Sequence, residues 1–123
     1  MKKIAFIIVI CSIILIGCQG KNTTINYEGK SKNWDITYKI DGNEQYYDSY
    51  YTFRYTGTEE KPKSDIRYFI DGPKEGQSGK FLLDCTNEYT GKMTMSGGLP
   101  SASERGIKVK VVWNGKTEMT QLN

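Results

Sequence analysis

No histidine occurs at any of the 123 positions of this chain. That removes serine–histidine–aspartate and cysteine–histidine nucleophilic sites, and with them the commonest metal ligand. No phosphate-cradling or dinucleotide-binding glycine pattern is present either, because the glycines stand singly or in pairs among turn residues. An excess of one charge is also missing. Lys2 and Lys3 account for two of the 17 basic side chains, and the remainder nearly balances the 14 acidic ones. A nearly neutral domain has no electrostatic case for binding nucleic acid. Finally, no apolar run is long enough to cross a bilayer as a helix. The longest, Ile4 to Ile16, has thirteen apolar or small residues, against about 20 for a span.

That run has another use. It follows Lys2 and Lys3 and ends in a small residue, the order of a secretory signal peptide with its basic start and apolar middle. The next residues, Leu15-Ile16-Gly17-Cys18, resemble the lipobox of bacterial lipoprotein precursors at all four positions. The resemblance implies cleavage between Gly17 and Cys18, with a diacylglyceryl group on the Cys18 thiol. Residues 1–17 would then be a discarded signal peptide, 18–32 the lipidated cysteine and a polar tether, and 33–123 the folded domain. The implied place is the outer face of the cell membrane, where acyl chains give stable anchoring. Cys11 would leave with the signal peptide and Cys18 would be acylated. Cys85 remains without a disulfide partner and is expected to be a buried thiol on the inward face of "FLLDCT" with Phe81 and Leu83. One free cysteine cannot build a structural zinc site.

After the tether the hydrophobic period is two. In "NWDITYKI", Trp34, Ile36, Tyr38 and Ile40 share one face. "YYTFRYT", "DIRYFID", "KFLLDC", a weaker "KMTMS" and "GIKVKVVW" follow, separated by breaker-rich loops such as "GPKEGQSG" and "GGLPSASERG". Asn114-Gly115 is a strong hairpin signal. A two-residue turn there pairs Trp113 with Lys116 and Ile107 with Leu122, and it sends Met119 to the face of Lys108 and Lys110; a bulge would change that register. Ile25 and Tyr27 could add a short first strand. The pattern predicts an all-β, antiparallel, immunoglobulin-like β-sandwich of about seven strands, with a small barrel as the alternative. "NWDITYKI", "GGLPS" and "IKVKVVWNGK" together resemble small surface lipoproteins of Gram-positive bacteria. This implies a location and a fold but no activity, and "KTEMTQLN" is less apolar than the last strand of those proteins.

The stretch "EQYYDSYYTFRYTG", from Glu44 to Gly57, is the most unusual in the chain. Sorted by parity, Tyr47, Ser49, Tyr51, Phe53 and Tyr55 fall on one face and read as core. Tyr46, Tyr50 and Arg54 fall on the other, and Arg67 and Phe69 point outward in the next strand. Tyrosine and arginine dominate interface hot spots, so these five are the candidate partner-binding residues. The bland alternative is cross-strand pairing on a solvated sheet face.

Chemistry is otherwise sparse. Asp41, Asn43, Glu44 and Asp48 offer oxygens but lack the spacing of a calcium loop, and read as a turn. Glu59-Glu60 reads as a solvated loop. No catalytic residue, metal ligand or cofactor is assigned. The function expected is a non-catalytic, lipid-anchored binding module with a surface protein as partner, for instance an inhibitor or exclusion factor acting on conjugation machinery or a wall hydrolase. The loops Gly72–Gly79 and Gly97–Gly106 could add contacts. A carbohydrate binder or wall-associated enzyme, and a structural spacer, are the alternatives.

Overall fold

A computed structural model describes residues 22–72, 76–100 and 106–123. Gly17, Cys18 and the signal peptide lie outside the described residues, as do the centres of the two nominated loops.

The described residues form eight antiparallel strands and no helix. They are β1 (Thr23–Lys30), β2 (Trp34–Gly42), β3 (Tyr46–Tyr55), β4 (Ile66–Asp71), β5 (Gly76–Phe81), β6 (Glu88–Ser96), β7 (Ile107–Trp113) and β8 (Lys116–Leu122). One sheet has the order β1-β2-β3-β6 and the other β5-β4-β7-β8. Pairing β3 with β6 and β4 with β7, while the chain crosses between sheets after both β3 and β6, interlocks the two layers. This corresponds to the B–E and C–F pairs of the immunoglobulin arrangement. The departures are β1, added outside β2, and β5, which pairs with β4 instead of β6. The sheets join along one seam, where Glu28 and Asn123 exchange two backbone hydrogen bonds of 3.0 Å each. No ladder joins β5 to β6, so the molecule is a sandwich and not a barrel.

Alternation builds the core. Trp34, Ile36, Tyr38 and Ile40 from β2 meet Ile66, Tyr68 and Ile70 from β4 and Ile107, Val109, Val111 and Trp113 from β7. Each set stands on one side of its strand because successive side chains in a strand point to opposite faces. Tyr47, Ser49, Tyr51, Phe53 and Tyr55 are buried as their parity predicts. An aromatic cluster fills one end of the interior, with Trp34 edge-on to Tyr55, Phe81 and Trp113. The rest carries a hydrogen-bonded polar strip. Tyr38 Oη donates to Ser49 Oγ at 3.1 Å and accepts from Gln77 Nε2 at 3.1 Å, and Tyr68 Oη donates to Tyr51 Oη at 3.2 Å.

Three expectations need correction. The tether does not extend to residue 32, because Thr23–Lys30 is β1. Tyr27 packs against Tyr38 with ring centroids 6.3 Å apart, and with Ile25 packed against the core beside it that burial orders a segment otherwise made of polar residues and glycine. The stretch "GPKEGQSG" is not all loop, since β5 begins at Gly76. Gly79 is needed in that strand because a Cβ there would collide with the Tyr68 ring. Cys85 is exposed, not buried. β5 ends at Phe81, and the chain bends after Leu83, so the alternation that would carry residue 85 inward stops short of it. Lys61 Nζ holds this bend by donating to the carbonyls of Asp84, at 2.7 Å, and Thr86, at 3.2 Å.

The last hairpin follows the two-residue turn without a bulge. Trp113 pairs with Lys116 and Ile107 with Leu122. Asn114 and Gly115 carry positive φ of 45° and 73°, the backbone that a tight primed turn requires.

Candidate functional site

The five candidate residues do not form one surface. Tyr46, Tyr50 and Arg54 stand on the outward face of β3, whereas Arg67 and Phe69 stand on the outward face of β4 in the other sheet. Two sheets packed by their inner faces point their outer faces in opposite directions, so the set is divided between the two sides of the sandwich.

On the β1-β2-β3-β6 side, Tyr50 is the centrepiece. Register places it between Lys39 of β2 and Lys92 of β6. The two ammonium groups lie 5.7 and 5.5 Å from the centre of its ring, within cation–π range. Its hydroxyl points to Asp48 Oδ2 at 3.5 Å. Asp48 is in turn held by Thr94 Oγ1 at 2.6 Å and paired with Lys92 at 3.9 Å. Tyr50 is therefore half-buried in an ordered polar setting, and it walls a shallow depression whose other sides include Asn26, Thr37, Lys39 and Thr52. Tyr46 and Arg54 are exposed, each about 13 Å along the strand from Tyr50 at roughly 3.3 Å per residue. Arg54 lies opposite Asp35 on one neighbour and Glu88 on the other.

On the β5-β4-β7-β8 side, Phe69 is 42% and Met119 58% exposed. They flank Lys110, whose ammonium sits 4.5 Å from the Phe69 ring centre. Lys110 is opposite Phe69 on one side and Met119 on the other, which makes one continuous row. Arg67 and Lys108 stand on the adjacent rows. The hairpin register read from Asn114-Gly115 already sent Met119 to the lysine face; what the sequence did not supply was the neighbouring β4, which brings Phe69 into the same row.

The remaining polar clusters have local work. Asn43 Oδ1 accepts from the backbone N–H of Gln45 at 2.8 Å and of Tyr46 at 3.2 Å, which makes the "DGNEQ" segment a side-chain-capped turn. Glu59 pairs with Lys116 at 2.6 Å and Glu60 with Lys63 at 2.9 Å. The hydrogen bond and charge of each lysine hold these exposed carboxyls below their usual range. Glu118 feels burial, which raises its pKa, but hydrogen bonds from Ser31 and from Asn33 outweigh that and leave it lowered. The tyrosine shifts run the other way. Burial pushes the hydroxyls of Tyr38 and Tyr68 up, with Tyr51 adding to the rise at Tyr68. Among the described residues no group of three histidine, cysteine or acidic side chains converges.

Fold and surface together define an antiparallel β-sandwich with two chemically distinct outer faces. The chain matches no protein-family model, no curated protein and no solved structure.

Proposed function

We propose that the chain is a lipid-anchored, extracytoplasmic binding module that engages a protein partner through the outer face of β1-β2-β3-β6. The observation that carries this reading is Tyr50, held between two lysines beside a shallow open depression at the centre of that face. A rigid, partly buried aromatic side chain next to a notch presents contact area at little cost in conformational entropy, which is how tyrosine acts as an interface anchor. Tyr46 and Arg54 extend the contact along β3. The lipobox at Leu15-Ile16-Gly17-Cys18 supports the anchor, and no cofactor is needed for the role.

Photo-crosslinking from intact cells tests the partner. With a reactive residue at Thr37, which shares the depression with Tyr50, one dominant protein adduct is expected. That adduct should disappear in a Tyr50→Ala/Arg54→Ala variant that remains folded. An adduct pattern unchanged by the double substitution refutes this face. Cys18→Ala should release the protein from the membrane fraction, and firm retention of that variant refutes the anchor.

A further inference from the structure

Charge is shared unequally between the two outer faces. Around Tyr50, acids and bases alternate: Asp35, Asp48 and Glu88 stand among Lys39, Arg54 and Lys92. On the opposite face Asp71 is the one acidic side chain on the strand rows that carry Arg67, Lys80, Lys108 and Lys110. Lys80 reaches Asp65 at 3.8 Å. Among the described residues no carboxylate lies within ion-pair distance of Arg67, Lys108 or Lys110. In the middle of this basic face stand Phe69 and Met119, the two most exposed large apolar side chains of that sheet. An apolar centre with a basic surround matches a surface that is negative outside and apolar beneath.

The second observation is the length of chain before the first strand. β1 starts at Thr23, five residues after Cys18, and five residues reach at most about 18 Å. The seam with β8 lies further along the strand, where Glu28 and Asn123 are hydrogen bonded, and Thr23 stands about 17 Å before it at roughly 3.3 Å per residue. The two sheets lie about 10 Å apart, so a tether of that reach still spans from the β1 edge to the outer plane of the β5-β4-β7-β8 sheet. It holds the start of β1 within about 18 Å of the anchor, close enough for an outer face to meet the headgroups.

We infer that the domain lies on the bilayer through this face, with Phe69 and Met119 entering the headgroup boundary and Arg67, Lys108 and Lys110 against the phosphates of anionic phospholipid. The inference rests on the lipid-anchor reading. The two chains of a diacylglyceryl group already suffice for stable anchoring, so here the basic patch would set orientation more than retention. The Tyr50 face then points away from the membrane, free for a partner.

The test uses the lipidated protein, isolated from membranes and reconstituted into phosphatidylcholine vesicles with and without phosphatidylglycerol. Cys85, an exposed thiol, is first replaced by serine. An environment-sensitive fluorophore is placed on Met119→Cys or, as the opposite-face control, on Thr37→Cys. The expected result is a blue shift and quenching by a lipid-borne quencher at position 119 in phosphatidylglycerol vesicles, with neither at position 37. Each of Arg67→Gln, Lys108→Gln and Lys110→Gln should lower the docked-to-free ratio about fivefold, the equivalent of ~1 kcal/mol per basic side chain near an anionic surface. Equal emission at the two positions, in protein that floats with the vesicles, overturns the docking and leaves the anchor intact. A mass lacking the diacylglyceryl group, with protein that does not float, overturns the anchor and the docking with it.

Discussion

Trp34 opens β2 with its side chain fully buried and three aromatic rings set edge-on around it. Its indole Nε1 has no hydrogen-bond acceptor among the described residues. Two terms therefore compete when it is replaced. Trp34→Ala removes nearly the whole side chain and leaves a cavity bounded by Tyr55, Phe81 and Trp113, for a loss of about 3–5 kcal/mol. Trp34→Phe keeps a ring in the same place. It sacrifices about two ring carbons at roughly 0.8 kcal/mol each, with a small residual cavity. In exchange it deletes a buried N–H whose unmet desolvation costs about 1–3 kcal/mol. The two contributions nearly cancel, so the phenylalanine variant should lie within about 1 kcal/mol of the parent protein. Urea unfolding followed by far-ultraviolet circular dichroism gives both differences without relying on tryptophan emission, and an unchanged m-value confirms that the midpoint shift is a stability change. A phenylalanine variant destabilised as much as the alanine variant refutes the reasoning. It would mean that the edge contacts of the indole, and not its buried volume, hold this end of the core.

Gly29→Ala should weaken the β1–β8 seam, because a Cβ at that position meets the Gln121 carbonyl and the Leu122 side chain; hydrogen exchange at Glu28 and Asn123 should accelerate while exchange in β7 stays slow. Glu118 has its folded pKa lowered from an ordinary value of 4.5, so its contribution is present above that pH and disappears as pH falls through the lower folded value. Glu118→Gln should flatten that acid limb, and an unchanged limb in a pH-dependent melt would show that the Ser31 and Asn33 contacts do not hold the carboxylate. Tyr38 and Tyr68 have theirs raised from 10.0, so their contribution is complete below pH 10.0 and is lost as pH rises beyond it. Tyr68→Phe should delay the alkaline loss of structure, and a profile matching the parent protein would exclude Tyr68 as a cause. Cys85 should react with a thiol reagent as fast in the native protein as in urea, since it is exposed; strong native protection would place it in the core instead.

Strand alternation was legible wherever large apolar side chains carried it. Trp34-Ile36-Tyr38-Ile40 and Ile107-Val109-Val111-Trp113 could face only one way, because period-two spacing of residues this large leaves a single buried side. Asn114-Gly115 carried its own turn chemistry, so the register of β7 with β8 could be read from two residues. β1 and β5 were harder. Their inward positions are filled by Ile25, Tyr27, Gln77 and Gly79, and neither burial of a glutamine nor the need for a glycine can be seen until Tyr38 and Tyr68 are in place beside them. Cys85 was misjudged for a related reason: alternation predicts a face only while the strand continues, and what stops β5 is the fold around Lys61.

The sequence by itself determined the class of fold, the inward side of each strongly alternating strand and the last hairpin, since these follow from local spacing and turn chemistry. It also marked Tyr46, Tyr50, Arg54, Arg67 and Phe69 as outward. Only the tertiary structure decided that β3 and β4 belong to different sheets, and so that these five residues serve two opposite faces. Parity tells which side of its own strand a residue occupies; which sheet the strand joins depends on pairing with β6 and β7, some 40 residues further along the chain, and no local pattern encodes that choice.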